Sequence, residues 1–487
     1  MRDLVLPLLD FANSVILVYF VVTNVTYTVL MFLSLYAVSL HSKYAARMTH
    51  EDLLTSPVTP PVALIVPAHN EEEGIVQTVL SLLELSYPEK ELIVVDDGST
   101  DRTAERLIEH FGLKRVDFIY RPRLEAKTPR AFYYNSEQPE LLLIAKENGG
   151  KPDALNVGIN LARSPYFCTV DADSIIEKQA LLRLMAPVLH SHTPTIVSGG
   201  VVRIANGCTL EQGKIARIDL PKSWLERCQV VEYIRSFMFG RPGWNFLNAT
   251  FIASGALCLL HRESVIAAGG YHTDTVTEDI DVIASLHRTQ RAEGRPYRMV
   301  FSTDPICWTE APKDLRMLAR QRRRWQLGLL QTVMKHNDMI FNRRYGALGM
   351  LSMPFHTYIE AVGCVVEALG TVLIPFSFLV GAMPLWLFLL LLFLAVGYGT
   401  LLSTGSVLME ETTVRRYPKV KHLMVLMAYA VVENLGYRQL MAFFRAQGVI
   451  QYLLGKRGWE VVQKTGLESI RPAGLRPSGA GEASSHA

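Results

Sequence analysis

Two blocks of apolar sequence, one near each end of the chain, set the strongest limit on what it can fold into. Residues 4–40 are almost all apolar, interrupted by Asp10, Asn13 and Asn24, and apolar runs return at 348–383 and 385–409, parted by Pro384. The first run is long enough for one tilted membrane-spanning helix with a short lead-in, and too long for a cleaved signal peptide. The later two can cross out and back. His41, Lys43 and Arg47 follow the first run, against only Arg2 before it. The positive-inside bias therefore places the N-terminus outside and the next domain in the cytoplasm. The basic stretches 415–421 and Lys456-Arg457 belong on the same side, so residues 423–454 cross twice or not at all. Glu433, Arg438 and Arg445 favour a re-entrant or interfacial helix pair there. From Arg471 the tail is rich in Gly, Ala, Ser and Pro and is expected to be disordered.

Between these blocks the composition changes. Over all 487 residues the chain is 49% apolar and 20% charged, with mean hydropathy +0.18. That is too oily for an ordinary soluble protein and too charged for an all-membrane one, so two or three units are expected, one of them soluble. A net charge of +3 gives no basis for a nucleic-acid partner. The six cysteines have no Cys-x-x-Cys spacing and predict free thiols in a reducing compartment, not disulfides or a zinc site. Asn24-Val25-Thr26 and Asn248-Ala249-Thr250 match the glycosylation sequon but fall in a spanning segment and a cytoplasmic domain, and are discounted.

After a joint at Pro57, Pro60 and Pro61, strand and helix patterns alternate, as in a parallel sheet with crossover helices. Residues 63–66 predict a strand, and Asn70 with Glu73 predicts a capping box opening the following helix. Strands are expected at 92–95, ending in Asp96-Asp97-Gly98-Ser99, and at 116–120. Residues 121–140 read as an inserted polar loop. Asn148-Gly149-Gly150-Lys151 leads into a helix over about 153–162. Next comes a buried strand, 166–173, that ends in Asp171 and Asp173. Further strands are expected at 195–202 and 249–260, with helices at 224–239 and 278–291, a turn at Gly269-Gly270-Tyr271 and Thr277 as an N-cap. Residues 315–341 predict a broken helix in the headgroup layer, with Arg320, Arg322, Arg323 and Arg324 clustered on it.

In an open α/β sheet, ligands bind beyond the C-terminal ends of the strands. Two carboxylates at i and i+2 cannot both pack in a core, but they can share a hard divalent cation that also holds a diphosphate. An Asp-x-Asp arises about once by chance in a chain of this length, and Asp279-Ile280-Asp281 is a second one here. Position at a strand end singles out the first.

Six motifs in order carry a resemblance: Val66-Pro67-Ala68-His69-Asn70-Glu71, Val95-Asp96-Asp97-Gly98-Ser99, Gly150-Lys151-Pro152-Asp153-Ala154-Leu155-Asn156, Asp171-Ala172-Asp173, Thr277-Glu278-Asp279 and Gln321-Arg322-Arg323-Arg324-Trp325. Over residues 62–345 the chain resembles the membrane-embedded family 2 glycosyltransferases, the processive synthases of cellulose, chitin, hyaluronan and poly-N-acetylglucosamine. The flanking segments resemble them in arrangement only. Gln-x-x-Arg-Trp is the most specific element. The resemblance implies an α/β GT-A fold, Rossmann-like with a mostly parallel sheet. Its cytoplasmic domain, 58–310, would be inserted between an N-terminal transmembrane helix, 1–45, and C-terminal transmembrane and interfacial or re-entrant helices, 346–456. Interfacial amphipathic helices, 311–345, would carry Gln-x-x-Arg-Trp, and 457–487 would be a cytoplasmic, largely disordered tail.

The same resemblance implies roles. Pro67, His69, Glu71, Asp96, Asp97, Lys151, Asp171, Gln321 and Arg324 would bind the nucleotide-sugar. One of Asp96 and Asp97 would accept hydrogen bonds from uracil or ribose and the other could simply form an Asx-turn. Lys151 would offset diphosphate charge, and Pro152, where the family usually has a small residue, stiffens its loop. Asp171 and Asp173 would hold Mg2+ or Mn2+. Asp279, with Asp173 as its catalytic companion, would be the general base, kept ionised by its helix N-terminus. Trp325, Glu278 and Trp308 would line the acceptor site, while Arg320, Arg322 and Arg323 read as lipid anchors. One displacement inverts the anomeric centre without a covalent intermediate, unlike the retaining route. The Gly-Gly-Lys-x-x-Ala-Leu-Asn phrasing is closest to the N-acetylglucosamine polymerases and favours UDP-N-acetylglucosamine over UDP-glucose. The expectation is thus a processive β-glycosyltransferase of the bacterial inner membrane that binds a UDP-sugar, a growing polysaccharide, the lipid bilayer and accessory secretion subunits. Transfer of one sugar to a lipid is the alternative enzyme. A non-catalytic scaffold is opposed by intact Asp171, Asp173, Asp279 and Trp325. No cyclic-nucleotide control domain is expected.

Overall fold

Val62-Ala63-Leu64-Ile65-Val66 has no surface exposed on either face, as a central parallel strand covered by helices requires. It forms β1 (Val62–Ala68), at the middle of a ten-stranded sheet in the computed structural model, which describes residues 2–45, 53–54, 56, 58–211, 214–417 and 419–455. The other strands are β2 (Lys90–Asp97), β3 (Lys114–Val116), β4 (Pro129–Tyr134), β5 (Leu141–Lys146), β6 (Tyr166–Thr169), β7 (Ile175–Ile176), β8 (Thr195–Ile204), β9 (Thr209–Glu211), β10 (Lys214–Arg217), β11 (Cys258–His261) and β12 (Arg298–Thr309). The sheet order is β3-β4-β5-β2-β1-β6-β11-β8-β12-β7, and β9 with β10 forms a separate hairpin. Four neighbours, β5-β2-β1-β6, run parallel and bring their C-terminal ends to one edge. β4 and β11 join antiparallel on either flank, and β12 runs parallel to β8.

Helices cover both faces. α1 (Arg2–Ala45) precedes the sheet; α2 (Ile75–Leu83), α3 (Thr103–Phe111), α4 (Lys151–Leu161), α5 (Ala180–His190), α6 (Trp224–Arg235), α7 (Arg241–Phe246), α8 (Arg262–Ala267) and α9 (Glu278–Ala292) follow within it. Ile75, Leu82, Leu107, Leu181 and Leu182 pack one face, while Leu155, Ile159, Val282 and Leu286 pack the other. After β12 come α10 (Leu315–Lys335), α11 (Gly363–Leu379), α12 (Leu385–Leu392), α13 (Tyr398–Thr413), α14 (Val420–Val432) and α15 (Arg438–Leu453). Three helical stretches are long and apolar enough to cross a membrane: Leu6–Leu40, Leu348–Leu379 and Leu385–Thr413. α14 and α15 meet at a break where Leu435 and Gly436 leave helical geometry, and among the described residues no further helix qualifies. Residues 420–453 thus form two shorter helices joined at that break.

Several local expectations change. Asn70 is not an N-cap: it sits at φ 57°, its Oδ1 accepts from the Thr100 N–H at 2.8 Å, and α2 starts five residues on, behind Gly74. The third strand ends at Val116. The polar insertion contains β4, and the parallel strand β5, unforeseen, follows it. Of 249–260 only 258–260 is strand, in a strand that runs on to His261, because the preceding apolar residues line a cavity instead of pairing. Arg47, Pro57, Lys456-Arg457 and the tail from Arg471 lie outside the described residues.

α10 ends at Lys335 and, after a break at His336, a 3-10 turn follows at Asn337–Met339, so 315–341 is a broken helix as expected. α10 does not lie free in a headgroup layer. It packs along α15, with Gly448 of α15 set against the Arg323 backbone. Its start is fixed by Asp314, whose carboxylate accepts from the Arg316 and Met317 N–H groups. Arg322 is not a lipid anchor: it is buried, 2.9 Å from Glu232, which also accepts from the Tyr437 hydroxyl at 2.6 Å. A second buried ion pair, Arg203 with Glu410, ties β8 to α13.

Candidate active site

The turns after β1 and β2 and the loop before α4 meet at the C-terminal edge of the parallel strands. Asp97 holds them together. It pairs with buried Lys146 and accepts from the Gly149 and Gly150 N–H groups at 2.9 and 2.8 Å. The expectation that either aspartate could read the nucleotide is thereby narrowed, since Asp97 is occupied as the lock of the Gly-Gly-Lys loop. Asp96 is left as the candidate reader, although it also accepts from the Ser99 N–H at 3.3 Å in the Asx-turn manner. Burial raises its pKa, and its bonds to Ser99 partly offset this. His69 Nδ1 lies 3.1 Å from the Asp97 carbonyl oxygen and 3.3 Å from Asn148 Nδ2. Gly98, at φ 67°, runs so close to Asn148 that a Cβ would sit 2.6 Å from its backbone nitrogen. Pro67, His69, Glu71, Asp96 and Asp97 thus lie at the ends of β1 and β2, apart from the residues described next.

From the Gly-Gly turn, Lys151 reaches into a second group. Its Nζ lies 2.7 Å from Asp171 Oδ1 and 3.0 Å from Glu278 Oε1. Burial opposes its charge, but Asp171 and Glu278 hold the ammonium well above the usual lysine range. Glu278 and Asp279 open α9. Asp279 Oδ2 accepts from the Gly255 N–H at 3.1 Å and Oδ1 from the Ile280 N–H at 3.0 Å. Thr277 does not cap the helix with its side chain, and its Oγ1 is buried without a hydrogen-bond partner among the described residues. Nor does the helix N-terminus leave Asp279 an ordinary carboxylate. Burial, with Glu278 beside it, pushes its pKa up to about 6, while Lys151 and the Gly255 N–H pull the other way.

Lys151, Asp171, Glu278, Asp279, Gln321, Arg324 and Trp325 line one cavity of about 560 Å³. The Gln321 Oε1 is buried without a partner among the described residues. The Arg322 guanidinium stacks 4.4 Å from the Trp325 ring, so one part of the expected aromatic shelf is already covered. Asp173 is buried in the turn after β6 and does not line the cavity. Trp308 is misassigned to the acceptor groove: it is fully buried in β12 opposite Ile175, and alternation along the strand gives the cavity its neighbour Thr309 instead. The second Asp-x-Asp divides its labour, since Asp281 faces His272, Lys335 and His336 at 2.7–3.1 Å and braces α9 against the end of α10. Sequence reasoning missed Lys146, Gly255 and Arg241, which join these sites without belonging to any recognised motif.

Asp171 and Asp173 offer hard oxygen donors, the kind Mg2+ and Mn2+ prefer. Among the described residues no group of three or more His, Cys, Asp or Glu could hold a metal ion. Asp171 lines the cavity, paired with Lys151, and Asp173 lies in the turn behind it, so the match to such a cation rests on the donor chemistry of these two carboxylates.

The family model for glycosyl transferase family 2 matches residues 63–265, and that for glycosyl transferase family group 2 matches residues 166–402. The chain carries a family 2 glycosyltransferase domain. Over 267 residues the transferase is 28% identical to poly-β-1,6-N-acetyl-D-glucosamine synthase of Staphylococcus aureus strain COL, covering 55% of this chain and 54% of the relative. The protein of the same name from Staphylococcus epidermidis is 27% identical over equal shares. The match thus spans about half the length of these curated relatives. Among solved structures, a mannosyltransferase from Pyrobaculum calidifontis, in complex with GDP-Man and Mn2+, aligns with 84% of this chain and 99% of its own at TM-score 0.46 and 18% identity. Residues 1–349 of Staphylococcus aureus TarS, in complex with UDP-GlcNAc, align with 81% and 92% at TM-score 0.36 and 15% identity.

Proposed function

We propose that this transferase is an inverting, divalent-cation-dependent β-glycosyltransferase that polymerises a UDP-sugar, preferably UDP-N-acetylglucosamine, and passes the product through its own membrane helices. One observation carries the reading. The cavity that holds Lys151, Asp279 and Trp325 continues to Tyr19 and Tyr27 of α1, to Glu360 and Glu367 between the apolar helices, and to Arg445 of α15. A candidate base, candidate diphosphate contacts and polar side chains of the long apolar helices thus line one space.

In this reading Asp279 takes the proton from the acceptor hydroxyl as that oxygen attacks C1 of the donor, and its raised pKa suits a base working near neutral pH. Lys151 and Arg324 bind the diphosphate as it departs, and Gln321 orients it. Asp171 and Asp173 would hold the cation, whose charge supplies further stabilisation of the leaving group. Trp325 and Glu278 position the acceptor ring. Asp96, Pro67, His69 and Glu71 bind the nucleoside, while Asp97 fixes the loop that presents Lys151. We place residues 58–310 in the cytoplasm of a bacterial cell, with 1–45 and 346–456 anchoring them in the inner membrane, residues 311–345 joining the two and accessory secretion subunits as partners.

The test is purified protein in lipid, supplied with labelled UDP-sugars and Mg2+ or Mn2+. A polymer ladder from UDP-N-acetylglucosamine supports the proposal. A ladder from UDP-glucose alone replaces the donor, and a single-sugar lipid product ends the processive part.

A further inference from the structure

Arg241 is the cavity residue to which no motif gives a task. It follows a π-helical turn, Ser236–Gly240, that interrupts the helix between α6 and α7, and such turns recur at functional sites. The turn sets Phe237 beneath the side chain, so that the guanidinium lies 3.7 Å from the ring centroid. Its Nη1 is buried with no hydrogen-bond partner among the described residues. Burial pulls its pKa down to about 10, and the attraction of Asp279 offsets this only in part. Buried donors are nearly always satisfied, and a buried cation without a paired anion is costly. An acceptor oxygen arriving from elsewhere would therefore be bound strongly.

The surroundings say what kind of oxygen. Asp279 is the nearby anion, and Arg241 lines the same cavity as Tyr27, Glu360 and Glu367. Glu360 is already paired with Arg445 at 2.9 Å, so it is Asp279 that an anionic ligand at Arg241 would meet, whereas a neutral, hydroxyl-rich one would not be repelled. Lys151, on the donor side, is already held between Asp171 and Glu278. α7 itself is seated on α1, with Gly243 so close to the Leu30 carbonyl that a Cβ would lie 2.8 Å from it. Arg241 thus stands where the catalytic domain meets the first long apolar helix. We infer that Arg241 is an acceptor-contacting residue whose guanidinium donates to an uncharged oxygen, hydroxyl or amide carbonyl, of the acceptor glycan on the membrane side of Asp279. The inference rests on the glycosyltransferase reading above and adds a residue that determines acceptor affinity.

The experiment uses the full chain in lipid nanodiscs and short β-linked N-acetylglucosamine oligomers, whose binding is measured by calorimetry without donor and whose KM is measured with labelled UDP-N-acetylglucosamine. Arg241→Ala is expected to weaken oligomer binding and raise its KM about tenfold or more, leaving UDP affinity and donor KM unchanged. Arg241→Lys keeps the charge but loses the planar fork and is expected to fall between. UDP binding checks the fold, and if Arg241→Ala loses it, Arg241→Lys carries the comparison. Unchanged oligomer affinity in the folded variant, equal losses for donor and oligomer, or no oligomer binding by the unsubstituted protein would overturn the assignment. Absence of turnover with oligomer binding intact and sensitive to Arg241 would instead count against the proposed donor.

Discussion

Asp279 is surrounded by charges of both signs, and that makes its behaviour predictable. The carboxylate must be unprotonated to accept a proton, so kcat/KM should rise with pH through an inflection near 6 and level off above it. Lys151 lowers the Asp279 pKa and Glu278 raises it. Lys151→Gln should therefore move the acid limb to higher pH and Glu278→Gln to lower pH, on top of any loss of rate. A pH profile for the three proteins decides this. Asp279→Asn should reduce turnover by about 10²- to 10⁴-fold while UDP still binds. Most of this group was legible in the sequence because charged residues at strand ends and helix starts have few other reasons to be there. Trp308 was misread for a physical reason: Cys307-Trp308-Thr309 lies on a strand, and a choice between adjacent residues is a choice between opposite faces. Arg241 and Lys146 escaped because a buried cation looks like any surface cation until its environment is known.

At the scale of elements, the loops after β1, β2 and β5 act as one unit through Asp97. Gly98→Ala would force a Cβ into the Asn148 backbone at a positive φ. It should cost about 1–3 kcal/mol locally and weaken UDP affinity measured by calorimetry. α9 and α10 are braced through Asp281, which has no exposed surface and whose pKa is lowered by its bonds to His272 and His336 against the effect of burial. Asp281→Asn removes the buried carboxylate shared by His272, Lys335 and His336, although Lys335 keeps Asp274 at 2.8 Å, and should destabilise the domain by about 1–3 kcal/mol, read as a lower Tm. The stability Asp281 contributes is complete above the ordinary carboxylate range and is lost only as pH falls through its depressed pKa. The parallel strands β1, β2 and β6 could be read from their apolar runs. β5 could not, because its run follows a polar insertion and ends in Lys146, and a lysine is buried there only by virtue of Asp97 and Asp153. The stretch 249–257 was over-read as strand since apolar residues that line a cavity and those that pair in a sheet carry the same pattern.

Across the whole molecule, the catalytic domain is pinned to the apolar helices by buried charges as well as by packing. Arg203 and Glu410 are 1% and 3% exposed, and neither has water to fall back on. Arg203→Met should lower stability by about 3–5 kcal/mol, whereas Arg203→Met with Glu410→Leu should recover most of it, because no lone charge remains. Thermal unfolding in detergent distinguishes the two. The two-ended apolar pattern announced this architecture, but not the ion pairs that join its parts, since sequence separation hides which charges meet.

All six cysteines are buried and free. At Cys168 and Cys228 burial pushes the thiol up to about 12, and Cys208, Cys258 and Cys307 are raised by the same cause. Maleimide and disulfide reagents act on accessible thiolate, so the native chain should label at none of the six and the unfolded chain at all of them. The unmodified protein is then a silent background for single engineered cysteines. Fluorophores or crosslinkers placed one at a time along the cavity wall could follow the passage of a sugar chain without first stripping the natural thiols away.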